Sequence, residues 1–140
     1  MPIKQFKCAA QAGYARTPDV MVIENDSHIA DIVESSLKHE GYSTRTIRDG
    51  LTAIQYINYR NPSKLVILDL ELPYADGFNI IKRIRSNKKW QHTPVTVLSK
   101  KATEKDIFRC FNLGASDYLL RPFLPTELVA RINRLINVAA

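Results

Sequence analysis

Leu65-Val66-Ile67-Leu68-Asp69 joins four apolar residues, two of them β-branched, to a single carboxylate, and Pro73 and the pair Asp76-Gly77 follow within eight positions. An unbroken apolar run of this length reads as a strand covered on both faces, which is the habit of a parallel sheet. In open parallel sheets, ligands and chemistry gather just beyond the carboxyl ends of the strands. Asp69 stands at such an end, so it is either a functional group or a badly placed charge.

Outward from this run, strand and helix alternate from Asp19 onward. Val20-Met21-Val22-Ile23 is a first apolar strand that ends in Glu24-Asn25-Asp26. Asp26 or Ser27 can cap a helix with Ile29, Ile32, Val33 and Leu37 on its inner stripe, and Gly41 closes it. Tyr42 to Ile47 form a shorter, more polar strand. A second helix follows from about Gly50 to Tyr59, with Leu51, Ile54 and Ile57 expected to face inward. Phe78, Ile81 and Ile84 mark a third helix, and Pro94 opens a fourth strand, Val95 to Leu98, ending at Ser99. Thr103-x-x-Asp106 is a capping-box type of start for a fourth helix that Gly114 ends. Ser116 to Leu120 give a fifth strand, and Pro125 takes the first position of a last helix lined by Leu128, Val129, Ile132 and Leu135. Five βα units mean an α/β domain with parallel strands.

The bulk properties narrow the class. The chain has 140 residues, 45% hydrophobic and 24% charged, with a formal net charge of +6. These values suit one globular domain with a real core. No apolar stretch approaches the roughly 20 residues that span a bilayer, so a soluble, cytoplasmic protein with no membrane partner is expected. Cys8 and Cys110 are too few and too far apart for a disulfide framework or a zinc site. Residues 1–18 carry Lys4, Lys7 and Arg16 and no acid. They read as a flexible basic N-terminal arm, with a cleaved organellar presequence as the weaker alternative and no secretory signal. The basic clusters Lys82, Arg83, Arg85, Lys88, Lys89 and Lys100, Lys101, Lys105, Arg109 read as solvated helix faces before they read as nucleic-acid contacts. Trp90 lies in a polar connection and is expected as an exposed ring or a contact point.

The strand ends bring chemistry together. Glu24, Asn25 and Asp26 follow the first strand, Asp69 the third, Ser99 the fourth and Arg121 the fifth. Clustered carboxylates repel unless a cation joins them, and Mg2+ needs only one or two carboxylates because it keeps several waters.

This pattern resembles the receiver domain of two-component response regulators. The resemblance runs over about residues 19–137. It rests on Ile23-Glu24-Asn25-Asp26, on Asp69-Leu70-Glu71-Leu72-Pro73 with Asp76-Gly77, on Val97-Leu98-Ser99, and on Gly114-Ala115-Ser116-Asp117-Tyr118 leading into Arg121-Pro122-Phe123. It implies a flavodoxin-like (βα)5 doubly wound sheet of strand order 2-1-3-4-5 over a domain of residues 19–140. It also implies roles by position. Asp69 is the phosphoacceptor, and Ser99 and Arg121 serve the phosphoryl group. Ser99 and Tyr118 form the switch. Glu24, Asn25, Asp69 and the backbone carbonyl of Glu71 hold Mg2+, bound weakly. The implied partners are a sensor histidine kinase or phosphotransfer protein, and a downstream protein on the face of the fourth helix, fifth strand and fifth helix. Lys101, Lys105, Arg109 and Arg131 are expected to make that face basic. Homodimerisation is left open, nucleic acid is not expected as a partner, and the domain is a signalling element rather than an enzyme.

Three positions depart from the family pattern. Asn25 stands where an aspartate usually ligates the metal. Arg121 replaces a lysine, and its planar fork is not equivalent to a compact ammonium. Lys100 follows Ser99 where a small residue is usual. Beside these three, Glu71 adds a charge two residues after Asp69. Two readings therefore compete: phosphorylation at Asp69, or a pseudo-receiver that binds a protein partner without it. A nucleotide- or flavin-binding enzyme fits poorly, because carboxylates rather than a glycine-rich loop follow the first strand.

Overall fold

The computed structural model describes residues 16–101 and 103–139. Most of the basic arm, Cys8 included, therefore lies outside the described residues. In order, the elements are β1 (Val20–Ile23), α1 (Ser27–His39), β2 (Thr44–Ile47), α2 (Gly50–Tyr59), β3 (Leu65–Asp69), α3 (Gly77–Ser86), β4 (Val95–Ser99), α4 (Glu104–Leu113), β5 (Asp117–Leu120) and α5 (Pro125–Ala139). The strands form one parallel sheet of order β2-β1-β3-β4-β5. The fold class and strand order are those expected from the sequence.

Both faces of the central strands are covered, as an unbroken apolar run requires. Val66 and Leu68 of β3 join Met21, Ile57, Ile80, Ile84 and Val97 on one face. Leu65 and Ile67 join Val33, Leu37, Leu128 and Ile132 on the other. Thus α1 and α5 cover one side, and α2, α3 and α4 the other. Removing such a large apolar side chain leaves a void and typically costs about 2–5 kcal/mol.

The helix starts follow the capping logic. Asp26 accepts from the backbone N–H groups of His28 and Ile29, Asp49 from Thr52, Asp76 from Asn79 and Thr103 from Asp106. Each side chain satisfies donors that a helix start leaves without partners. Gly114 ends α4 with φ +114°, a conformation that penalises any side chain.

Two expectations about packing are corrected. Leu51 is 53% exposed, whereas Ile57 is buried as expected, and Gly50 and Ala53 are buried with it. The helix is rotated so that its small residues face the sheet and the loop beyond β3. Trp90 is fully buried. Its indole N–H donates to the Arg60 carbonyl at 2.9 Å, and its ring meets Tyr56 edge-on with centroids 6.1 Å apart. The ring closes the end of the α2–α3 side of the core, and its polar sequence neighbours remain in solvent.

Candidate functional site

The parallel register delivers the side chains to one edge of the sheet. Ile23 pairs with Leu68, Asp69 with Leu98 and Ser99 with Leu120. The residues that leave β1, β3, β4 and β5 therefore meet above the carboxyl ends. Glu24 is fully buried, Asp69 is 5% exposed and Ser99 is 2% exposed. Asn25 and Asp26 are exposed on the rim.

Arg121 joins the two acids. Its Nη2 lies 2.9 Å from Asp69 Oδ1 and 3.3 Å from Glu24 Oε1, with only 8% of its side chain exposed. Asp69 Oδ1 also accepts from the Glu71 backbone N–H at 3.0 Å. Glu24 Oε2 accepts from the Asp26 backbone N–H at 3.1 Å. The guanidinium fit is incomplete, because Glu24 Oε1 and Arg121 Nε are buried without a hydrogen bond. Burial pushes the Glu24 carboxyl up, to about 8, and the hydrogen bond and negative charge of Asp69 add to that rise. Two acids sharing one cation in a dry pocket do not both ionise freely.

The loop after β3 is held close to these groups. Gly77 begins α3 where a Cβ would lie 2.7 Å from Leu70 Cα and 2.9 Å from the Asp69 carbonyl oxygen. Only a glycine lets the helix start approach the end of β3 so closely. Gly77 N–H also donates to the Leu70 carbonyl, and Gly50 N–H to the Pro73 carbonyl.

On the other side of the cleft, Ser99 Oγ accepts from the Lys101 backbone N–H at 3.0 Å. The Tyr118 hydroxyl donates to the Lys101 carbonyl at 2.9 Å. Burial raises the Tyr118 phenol above its usual value, so it remains a donor at neutral pH. The sequence drew attention to the side chain of Lys100, which is exposed. The backbone of Lys101 makes the contacts, and no sequence signal marks a backbone partner.

A hard divalent ion finds suitable oxygen donors here. Glu24 Oε1 is a buried oxygen that accepts no hydrogen bond although Arg121 Nη2 lies 3.3 Å away, Asp69 is adjacent to the same guanidinium, and Asn25 offers an amide oxygen on the rim. Mg2+ is satisfied by few carboxylates plus water. Among the described residues, no three His, Cys, Asp or Glu side chains come together as a metal cluster.

With an acid closing β3, an acid after β1, a hydroxyl ending β4 and a cation after β5 on a 2-1-3-4-5 sheet, the family model for the response regulator receiver domain matches residues 20–133. The chain belongs to that family. The receiver domain is 38% identical over 114 residues to the regulatory protein VanRc of Enterococcus gallinarum, covering 81% of this chain and 48% of that protein. It is 32% identical over 118 residues to the response regulator SaeR of Staphylococcus aureus, covering 84% of this chain and 50% of that protein. The chain thus spans about half the length of these curated relatives. Among solved structures, the Francisella response regulator 1452 receiver domain aligns with a TM-score of 0.79 at 31% identity, covering 89% of this chain and all of that one. The receiver domain of sensor histidine kinase PA1611 from Pseudomonas aeruginosa, with magnesium in its active-site cleft, aligns with a TM-score of 0.78 at 24% identity and covers 87% and 99% of the two chains. That second likeness bears on the fold.

The α4-β5-α5 face of this receiver differs from the basic surface expected. Arg131 is committed to Asp117 at 2.8 Å and Glu127 at 3.5 Å, and Arg109 stacks 3.9 Å over the Phe78 ring. Phe108, Phe111, Leu120 and Leu124 are 70%, 45%, 40% and 68% exposed there. The face is more apolar than its lysines and arginines suggested. No helix among the described residues is long and apolar enough to cross a membrane.

Proposed function

We propose that this receiver domain, taken as residues 19–140, accepts a phosphoryl group on Asp69 and passes the signal to a protein partner through the α4-β5-α5 face. The observation that carries the reading is Asp69 itself. Its carboxylate closes β3 at the carboxyl end of the sheet, 2.9 Å from a guanidinium, with the Ser99 hydroxyl ending the neighbouring strand.

Asp69 Oδ1 is held by two donors, so Oδ2 is the oxygen left to attack phosphorus. The new bond is Oδ2–P, and the bond broken joins phosphorus to the donor, a phosphohistidine of a sensor kinase or phosphotransfer protein. Glu24, Asn25, Asp69 and the Glu71 carbonyl would hold Mg2+. When bound, that ion supplies positive charge that screens the approach of carboxylate to phosphoryl oxygens. Arg121 adds a planar pair of donors suited to the same oxygens. Ser99 Oγ already accepts from Lys101, so its proton is free to donate to the phosphoryl group.

A shift of Ser99 toward phosphate strains the Lys101 peptide, whose carbonyl is the partner of Tyr118. Tyr118 belongs to β5, the central element of that face, and its ring packs against the core cluster that includes Val97 and Cys110. The charge event and the docking face are thus linked through one backbone residue. A cytoplasmic location and a partner that covers Phe108 and Phe111 belong to the same reading.

The guanidinium bridge between Glu24 and Asp69 favours a second reading, a pseudo-receiver in which Asp69 stays paired and the fold only binds. Beryllofluoride with Mg2+ separates the two. The phosphoacceptor reading expects amide shifts at Asp69, Ser99, Lys101 and Tyr118 that an Asp69→Asn variant lacks. An unchanged spectrum favours the pseudo-receiver.

A further inference from the structure

We propose that the outer face of α2 and α3 is a second binding surface, which holds single-stranded nucleic acid by its phosphates and stacks a base on Tyr59. The surface lies away from the Asp69 cleft, and the proposal is independent of the phosphoryl chemistry there.

Composition alone reads the cations of this region as a solvated helix face, and the structure adds three observations. The first is the absence of any counter-charge. Residues 50–68 and 77–103 contain no Asp or Glu, so both helices and the connections that follow them carry no acid. Lys82 and Arg83 are exposed on α3, and Lys88 and Lys89 on the turn after it. None of these four forms an ion pair among the described residues. The second is that the fold already has its own cation here. A helix C-terminus favours positive charge, and half-buried Arg85 supplies it by donating to the Gly114, Gln91 and Thr93 carbonyls at 2.7 to 3.0 Å. The four exposed charges have no such structural duty, and together they set up a positive field over the face.

The third observation is a ring held beside those charges. Asn87 Oδ1 accepts from the Lys89 N–H at 2.8 Å, and Asn87 Nδ2 donates to the Ile57 carbonyl at 3.3 Å. The Trp90 indole donates to the Arg60 carbonyl at 2.9 Å. The lysine turn is thus pinned to the last turn of α2 on both sides of Tyr59, which is 78% exposed. A rigid support therefore presents an exposed ring next to Lys88 and Lys89.

This chemistry selects among polyanions. Protein interfaces deplete lysine and centre on an apolar patch, whereas α3 turns Ile80, Ile81 and Ile84 into the core. A lipid surface wants an apolar wedge beside the cations, and α3 offers none. Nucleic-acid interfaces are polar and strongly positive. A ring standing clear of the surface among lysines suits unpaired bases, which stack on aromatic side chains while cations track the backbone.

The test is fluorescence anisotropy of a short labelled oligothymidylate titrated with the full chain between about 50 and 200 mM NaCl. Four cations on a single strand predict a slope of log K against log salt between about −2 and −3. The triple variant Arg83→Gln, Lys88→Gln, Lys89→Gln should lose at least about tenfold in affinity and flatten the slope. Tyr59→Ser should lose about fivefold or more at fixed salt with the slope unchanged. A control triple variant of exposed cations elsewhere, Lys38→Gln, Lys105→Gln, Arg134→Gln, should stay within about twofold of the parent. Equal losses in the two triple variants overturn the proposal, because net charge then explains the binding. No binding at the lowest salt, unchanged affinity of Tyr59→Ser, tighter binding of the matching duplex, or capture by phosphatidylserine vesicles but not by the oligonucleotide each overturn it as well. Should the first triple variant fail to fold, amide shifts of the parent protein decide: the proposal predicts them at Tyr59, Arg83, Lys88 and Lys89, and shifts confined to other faces overturn it.

Discussion

The Tyr118 hydroxyl donates to the Lys101 carbonyl at 2.9 Å, and the N–H of the same Lys101 donates to Ser99 at 3.0 Å. One residue of the β4–α4 connection is thus held from both ends, by the hydroxyl at the end of β4 and by the phenol of β5. Tyr118→Phe keeps the ring and removes only the second tether. We expect a stability loss of about 1 kcal/mol in urea unfolding and faster hydrogen exchange at the Lys101 amide. Unchanged exchange there would show that the phenol does not hold the loop.

The Glu24 carboxyl gives the fold a pH dependence of unusual sign. Its folded pKa is raised to about 8 from the ordinary 4.5 of a glutamate, first by burial and then by Asp69. The folded state therefore binds more protons than the unfolded chain between those values. The stabilisation is complete below about 4.5 and is lost as pH rises through about 8. In the presence of a chelator, unfolding free energy should fall between pH 5 and 8.5 by an amount on the order of 1–2 kcal/mol. Glu24→Gln should flatten that decline. A parent profile that stays level or rises over this range would contradict the assignment.

Tyr74 carries strain in the loop beyond Asp69. Its φ is +72°, its ring is 81% exposed, and Ala75 N–H donates back to the Pro73 carbonyl at 2.9 Å around it. This is a γ-turn of the rare positive-φ kind, which is costly for a residue with a side chain. Tyr74→Gly removes little packing and relieves the turn, so a gain of about 0.5–1 kcal/mol is expected by thermal or urea unfolding. A loss would mean that the ring makes a stabilising contact that outweighs the strain.

How much of this was legible in the sequence follows from which groups carry the information. Strand ends are readable because an apolar run stops where the core stops, and that places Glu24, Asp69, Ser99 and Arg121 at one edge of the sheet. Asp26, Asp76 and Thr103 were readable as caps and turn acids because capping chemistry is local. Three features were not. Ala53 rather than Leu51 faces the core, since a small residue gives almost no periodic signal against a large one. Trp90 is buried although its neighbours are polar, because one ring in a connection can fill a gap that no period describes. Arg109 and Arg131 counted as free surface charge, yet each is committed to a partner from another part of the chain. Long-range pairing of this kind leaves no trace in local composition.

The central claim is that the buried, partly neutralised Asp69 is a nucleophile for phosphorus. Intact-mass analysis of the full chain after incubation with acetyl phosphate and Mg2+ tests it most directly. The account predicts one added phosphoryl group that is labile to base and absent from Asp69→Asn. A parent protein that gains no mass, or an Asp69→Asn variant that gains the same mass, would contradict it.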